Sequence, residues 1–168
     1  KKKRGSGSVG QRIIGTDEEL RFYYTDEYML QEYIQGMEIG MDVFNDLEGN
    51  FLHAGFRKKL LMRAGETDKA QAIYLPELEQ LAKQISAAFG HIGNMDVDVM
   101  RDKDGRLFCI DFNPRFGGGY PLTHLSGFNY LQYIFELYLK RKVSIPVPYK
   151  EGTVMVKGIS TYVAESDD

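Results

Sequence analysis

One cysteine in 168 residues, Cys109, rules out an internal disulfide and any cysteine-rich zinc cluster. It sits mid-strand in Leu107-Phe-Cys-Ile110, where a small core filler is the ordinary role. Histidine is scarce as well. His53, His91 and His124 are scattered, and none has a partner at metal-ligand spacing. His53 and His91 therefore read as surface or packing residues, and His124 as a residue that could line a pocket. No Ser–His or Cys–His pair offers a nucleophilic centre. No apolar run approaches the ~18 residues of a membrane-spanning helix, and the basic start lacks an apolar segment behind it. A net charge of -3 argues against a general nucleic-acid binder. A reducing, cytoplasmic setting without membrane or nucleic-acid partners is the expectation.

What remains is an ordinary globular composition, 43% hydrophobic and 27% charged, long enough for one domain or two small lobes. The order of elements is legible. Thr16-Asp-Glu-Glu19 is a capping box opening a short helix through about Tyr24. Met29 to Phe44 is extended, with Glu38 and Asp42 on one face and Ile39, Met41 and Val43 on the other. Asp46-Leu-Glu-Gly-Asn50 is a turn, and Phe51 to Leu61 returns as a second strand. Arg63 to Lys69 is expected to be a polar loop. Pro76 opens a helix with Leu78, Leu81, Ile85 and Ala88 at helical spacing and Gly90 as its stop. A second helix carries Tyr130, Ile134, Leu137 and Tyr138. A proline-punctuated linker follows, and then one or two closing strands between Thr153 and Val163. Two strand pairs alternating with helices predict an α+β fold, an antiparallel sheet backed by helices.

The chemistry concentrates around Asp111-Phe-Asn-Pro-Arg-Phe-Gly-Gly-Gly119 and Asp96-Val-Asp98. The turn signal Asp102-Lys-Asp-Gly105 lies between them, so they pair as a hairpin. Strand alternation puts Asp96 and Asp98 on one face, and Asp111 and Asn113 likewise. Val97, Val99, Phe108, Ile110 and Phe112 are expected to fill the opposite face. Hard oxygen donors without His or Cys suit Mg²⁺ held together with substrate phosphates. Arg115 beside them is either a partner for those carboxylates or a contact for an anion bound with the metal. The glycines after it would let backbone approach a ligand closely.

Three other stretches each carry two readings. Gly5-Ser-Gly-Ser-Val-Gly10 beside Lys1-Lys-Lys-Arg4 is a flexible linker or a phosphate-wrapping loop, but no Walker loop, because the closing Gly-Lys-Ser/Thr is missing. Gln31-Glu-Tyr-Ile-Gln-Gly-Met-Glu38 is an amphipathic strand, or a segment whose backbone reads an adenine edge while Glu38 holds ribose hydroxyls. Arg57, Lys58, Lys59 and Arg63 are a solvated strand edge or a clamp for a triphosphate.

In this order the motifs resemble the ATP-grasp superfamily, and most nearly those members similar to the large subunit of carbamoyl-phosphate synthase. The resemblance rests on Lys1 with the glycine-serine loop, Gln31 to Ile34 with Glu38, Arg63-Ala-Gly-Glu-Thr-Asp68, Asp96-Val-Asp98 and Asp111-Phe-Asn-Pro-Arg115, and spans residues 1 to about 140. It implies two lobes gripping ATP, with an N-terminal domain and part of the first lobe preceding Lys1. Residues 1–28 would then be the remnant of the first lobe, 29–142 the main lobe, and 143–168 a linker with closing strands. It implies nucleotide contacts from Lys1, Gly5, Ser6, Gly7, Ser8, Glu32, Tyr33, Ile34 and Glu38. It places Mg²⁺, or Mn²⁺ in its stead, on Asp98, Asp111 and Asn113. Arg115, Asn113, Lys59 and Arg63 would serve the transferred phosphate. The implied activity is carboxylate–amine ligation through an acylphosphate, with a small carboxylate and an amine or ammonia as substrates and room for a homodimer. Both acidic metal positions are Asp, one methylene short of the commoner Glu, and Lys2 stands where proline is common. Two alternatives stay open: a non-catalytic ATP-binding module or inactive fragment, and a basic-tailed binding domain with no nucleotide site.

Overall fold

The computed structural model describes residues 1–5, 9–63, 65–145 and 150–158. Its centre is one six-stranded sheet in the order β5-β4-β1-β2-β3-β6, with antiparallel pairing throughout. The strands are β1 (Gly36–Asn45), β2 (Phe51–Arg63), β3 (Glu66–Ala72), β4 (Gly93–Asp102), β5 (Leu107–Asn113) and β6 (Val154–Val156). The helices are α1 (Asp17–Tyr23), α2 (Pro76–Phe89), α3 (Tyr120–Leu125) and α4 (Tyr130–Tyr138).

Alternation in β1 sets the layers. Ile39, Met41 and Val43 are fully buried on the back, where α2 lays Leu78, Ala82 and Ile85 over them together with Val97 and Val99. Each such side chain taken from water stabilises the fold by roughly 1.5–3 kcal/mol. Pro76 stands in the first turn of α2, and Gly90 ends the helix at a φ of 56°, a left-handed cap that glycine adopts without strain. Leu81 packs partly against the same core, whereas Ala88 faces solvent.

The front is covered at one end only. Phe44 packs there with Tyr120, Phe128, Tyr130 and Tyr133 from the α3–α4 region, while Leu122 joins Ala70, Ala72 and Met155. Tyr138, expected on the packed face of α4, is instead exposed. The other end of the front, around Glu38, Lys59, Asp98 and Asp111, stays open.

Four expectations need correction or closer definition. The stretch expected as a polar loop after β2 is a tight reversal into a third strand, β3, with Thr67 and Asp68 buried. Polar composition hid a strand whose small Ala70 and Ala72 fit under Leu122. Second, the β4–β5 register slips between Asp98 and Val99. Asp98 pairs with Asp111, but Val99 pairs with Cys109, so Ile110 is the extra residue of a bulge. Leu107 and Cys109 therefore pack on the core, while Ile110 turns to the front and Phe108, paired with Met100, leaves the back as well, both against expectation. Third, the regular strand begins at Gly36, and residues 29–35 run without regular pairing. Last, the closing strand is β6, which pairs with β3; residues 146–149 and everything after 158 lie outside the described residues.

Candidate functional site

The open end of the front forms one wall of a cleft of about 1510 Å³. Facing it are Lys1, Lys2, Lys3 and Gly5 and the segment from Tyr28 to Gly36. This second wall is tied together by its own backbone: Lys2 bridges Tyr28, and Lys3 N donates to Glu27 O at 2.8 Å. Glu32, Tyr33 and Ile34 line the cleft, as do Lys1 and Gly5. Ser6, Gly7 and Ser8 lie outside the described residues. Met100 and Ile110 bring apolar surface opposite that segment. The bulge that turns Ile110 outward also leaves its carbonyl free to accept from Lys1 Nζ at 3.3 Å.

On the sheet wall the register sets Asp98 opposite Asp111 and Asp96 opposite Asn113. Asn113 Nδ2 donates to Asp111 Oδ2 at 3.1 Å, and both residues line the cleft. Lys59, its side chain 6% exposed, holds Glu38 Oε1 at 2.8 Å and Asp98 Oδ1 at 2.7 Å. Burial alone would pull this ammonium's pKa down, but Asp98 and Glu38 outweigh it and hold it above the ordinary lysine value. Arg115 is largely exposed and stands 3.6 Å from Asp96 Oδ2, with its Nη1 donating to its neighbour's carbonyl, Phe116 O, at 3.1 Å. Arg63 is the predicted site residue that the fold does not bring in: it pairs with Asp68 at 2.7 Å and does not line the cleft.

Beneath this wall lies a buried ion network that the sequence did not announce. Arg57, grouped in sequence with an exposed basic edge, is almost wholly buried. Its guanidinium donates to Asp42 Oδ2 at 2.5 Å and to Asp96 Oδ1. Thr123 Oγ1 and Asn94 Nδ2 donate to Asp42 at 2.6 and 3.2 Å. Desolvation opposes the charge on Arg57, and Asp42, Asp96 and Asp98 more than restore it, raising its pKa. Burial raises the Asp96 pKa, with Arg57 opposing. Asp96 thus serves Arg57, and Asp98, Asp111 and Asn113 are the remaining oxygen donors of this wall.

Two glycines of the run make room for this network, while Gly118 and Gly119 also line the cleft. A side chain at Gly117 would strike the Asp96 carboxylate, and one at Gly119 would strike the Arg57 guanidinium. His124, offered as pocket lining, stands on the exposed face of α3 outside the cleft. His53 is a packing residue, stacked on Phe128 at 3.9 Å and 2.6 Å from the Tyr130 hydroxyl; burial lowers its pKa to about 4.

Among the described residues no three Asp, Glu, His or Cys side chains are gathered for a metal. The available donors are two carboxylates and an amide on paired strands, which fits Mg²⁺ completing its shell from phosphate and water. Such a site needs a polyphosphate to be whole.

An antiparallel sheet presenting carboxylates and basic residues across a cleft from an extended segment is the arrangement of ATP-grasp proteins, and solved structures share the fold. The biotin carboxylase domain of 2-oxoglutarate carboxylase from Hydrogenobacter thermophilus, solved with MgADP, ADP and bicarbonate, superposes with a TM-score of 0.66 over 83% of this chain and 35% of its own, at 20% identity. N5-carboxyaminoimidazole synthetase from Staphylococcus aureus, complexed with ADP, gives 0.60 over 75% of this chain and 36% of its own, at 12% identity. L-amino acid ligase from Bacillus licheniformis gives 0.50 over 67% and 30%, at 24% identity. The chain belongs to the family described as ATP-grasp in the biosynthetic pathway with Ter operon, which matches residues 24–161. It spans about a third of the length of these solved structures. A comparison with curated proteins gave no match.

Proposed function

We propose that this chain carries the Mg·ATP site of a carboxylate–amine ligase. The observation that supports it best is the pairing of two walls: Asp98, Asp111, Asn113, Lys59 and Arg115 on the sheet, with Lys1 and Glu32 to Ile34 across the cleft. Neighbours of the same fold hold MgADP, ADP and bicarbonate, and the L-amino acid ligase supports the amide-forming variant.

In this reading the 32–34 backbone and the apolar Met100 and Ile110 hold the adenine, and Glu38 takes the ribose. Asp98, Asp111 and Asn113 would hold Mg²⁺, which neutralises phosphate charge and polarises the transferred group. A substrate carboxylate oxygen attacks the γ-phosphorus, ADP leaves, and an acylphosphate forms. An amine nitrogen then attacks the acyl carbon, inorganic phosphate leaves, and the amine's proton goes to water. The chain's own residues align and neutralise: Arg115 faces the transferred phosphoryl group, and Lys1 and Lys59 the polyphosphate. Arg63, paired with Asp68 and not lining the cleft, stands outside the reacting set.

The test is phosphate release from ATP across a panel of carboxylic acids and amines. At least one acid is expected to stimulate release. Asp111→Asn should abolish it, with a loss of at least 100-fold and an unchanged melting temperature. Undiminished Mg²⁺-dependent turnover in that variant would remove the metal assignment.

A further inference from the structure

Lys59 occupies an unusual place among the site residues. It rises from β2, yet one of its partners, Asp98, is on β4, two strands away. Strands lie ~4.8 Å apart, so the ammonium reaches across ~10 Å of sheet. The β1 residue opposite Asp98 is Gly40, and the Arg57 guanidinium lies over it in the space a side chain would take. On the way it meets Glu38 on β1. One buried cation therefore neutralises both the carboxylate assigned to the ribose and one assigned to the metal.

This has a consequence for binding order. A divalent ion arriving alone must compete with a resident ammonium for Asp98, inside a partly desolvated site where each charge contact is stronger than in water. A polyphosphate changes the balance, since its several negative charges offer Lys59 a better partner than two carboxylates. Lys59 then turns to the phosphates, and Asp98 and Glu38 are released to metal and ribose. Resting on the ATP-binding reading above, we propose that Lys59 is a specificity-determining residue: it makes the site select a metal–polyphosphate pair over free metal by acting as the internal counterion of Glu38 and Asp98.

The proposal predicts opposite effects on two ligands, which a general loss of structure would not produce. Calorimetric titration with Mn²⁺ alone, and separately with a non-hydrolysable ATP analogue without metal, is made on the wild type and on Lys59→Met. Free Mn²⁺ is expected to bind the variant at least tenfold tighter, because Glu38 and Asp98 lose their counterion. The metal-free analogue is expected to bind at least tenfold more weakly. Lys59→Gln, which keeps a polar head, is the second variant, and the same opposed shifts are expected. Independently of any variant, the ¹⁵Nζ resonance of wild-type Lys59 should move on adding the metal-free analogue and stay in place on adding millimolar Mg²⁺. Free-metal affinity unchanged or weakened in the folded variants, or an Nζ resonance that Mg²⁺ alone displaces, overturns the role of Lys59. If the wild type fails to bind Mg²⁺ and the analogue together, the ATP-binding reading itself falls.

Discussion

Arg57 shows how much a single residue's meaning depends on what surrounds it. In sequence it opens a basic run; in the fold it is the buried cation that Asp42 and Asp96 share. Removing one partner of a buried ion pair leaves an uncompensated charge, so Arg57→Met is expected to cost about 3–5 kcal/mol in urea unfolding. A loss under about 1 kcal/mol would mean the network is dispensable. His53 makes a prediction of a different kind. Its folded pKa of about 4 lies below the unfolded value near 6.5, so the unfolded state binds the extra proton between them. Stability should therefore fall as pH drops from about 6.5 towards 4, by up to about 3 kcal/mol from this group. His53→Gln should flatten that part of the profile, and identical slopes in the two proteins would refute the assignment.

At the scale of elements, the segment between β5 and α3 is shaped by what lies under it. Gly119 has a φ of -91°, which any residue adopts, so it is not glycine for its backbone. It is glycine because the Arg57 guanidinium occupies the space a side chain would need. Gly119→Ala is expected to destabilise by about 1–3 kcal/mol, the usual range for overpacking, and to disturb Arg115 through the shared Asp96. A melting temperature equal to wild type would contradict this. The β4–β5 bulge is a second such device. One extra residue moves Ile110 from the back of the sheet to the cleft and Cys109 to the core. Strict alternation, applied to the sequence, assigns Ile110 and Phe108 to the wrong face, because nothing local marks Ile110 as the residue that goes unpaired.

For the molecule as a whole, the proposed nucleotide would bridge the sheet and the 28–36 segment across the cleft. A ligand at 100 times its Kd adds about 2.7 kcal/mol to stability, which for a chain of this size raises Tm by roughly 5–10 °C. Mg·ATP should give a rise of that order and AMP a smaller one; no rise with Mg·ATP would leave the cleft without its proposed ligand. The sequence by itself determined the antiparallel α+β plan, the hairpin bearing Asp98, Asp111 and Asn113, α2 with its glycine stop, and the superfamily. Each of these is written in local periodicity, turn residues or motif order. Tertiary structure alone decided that Arg57 is buried, that Lys59 reaches Asp98, that Arg63 stands aside and that the glycines make room for an ion network. Those outcomes depend on register between strands far apart in the chain, and a side chain's partner across a sheet leaves no mark on its own neighbours in sequence.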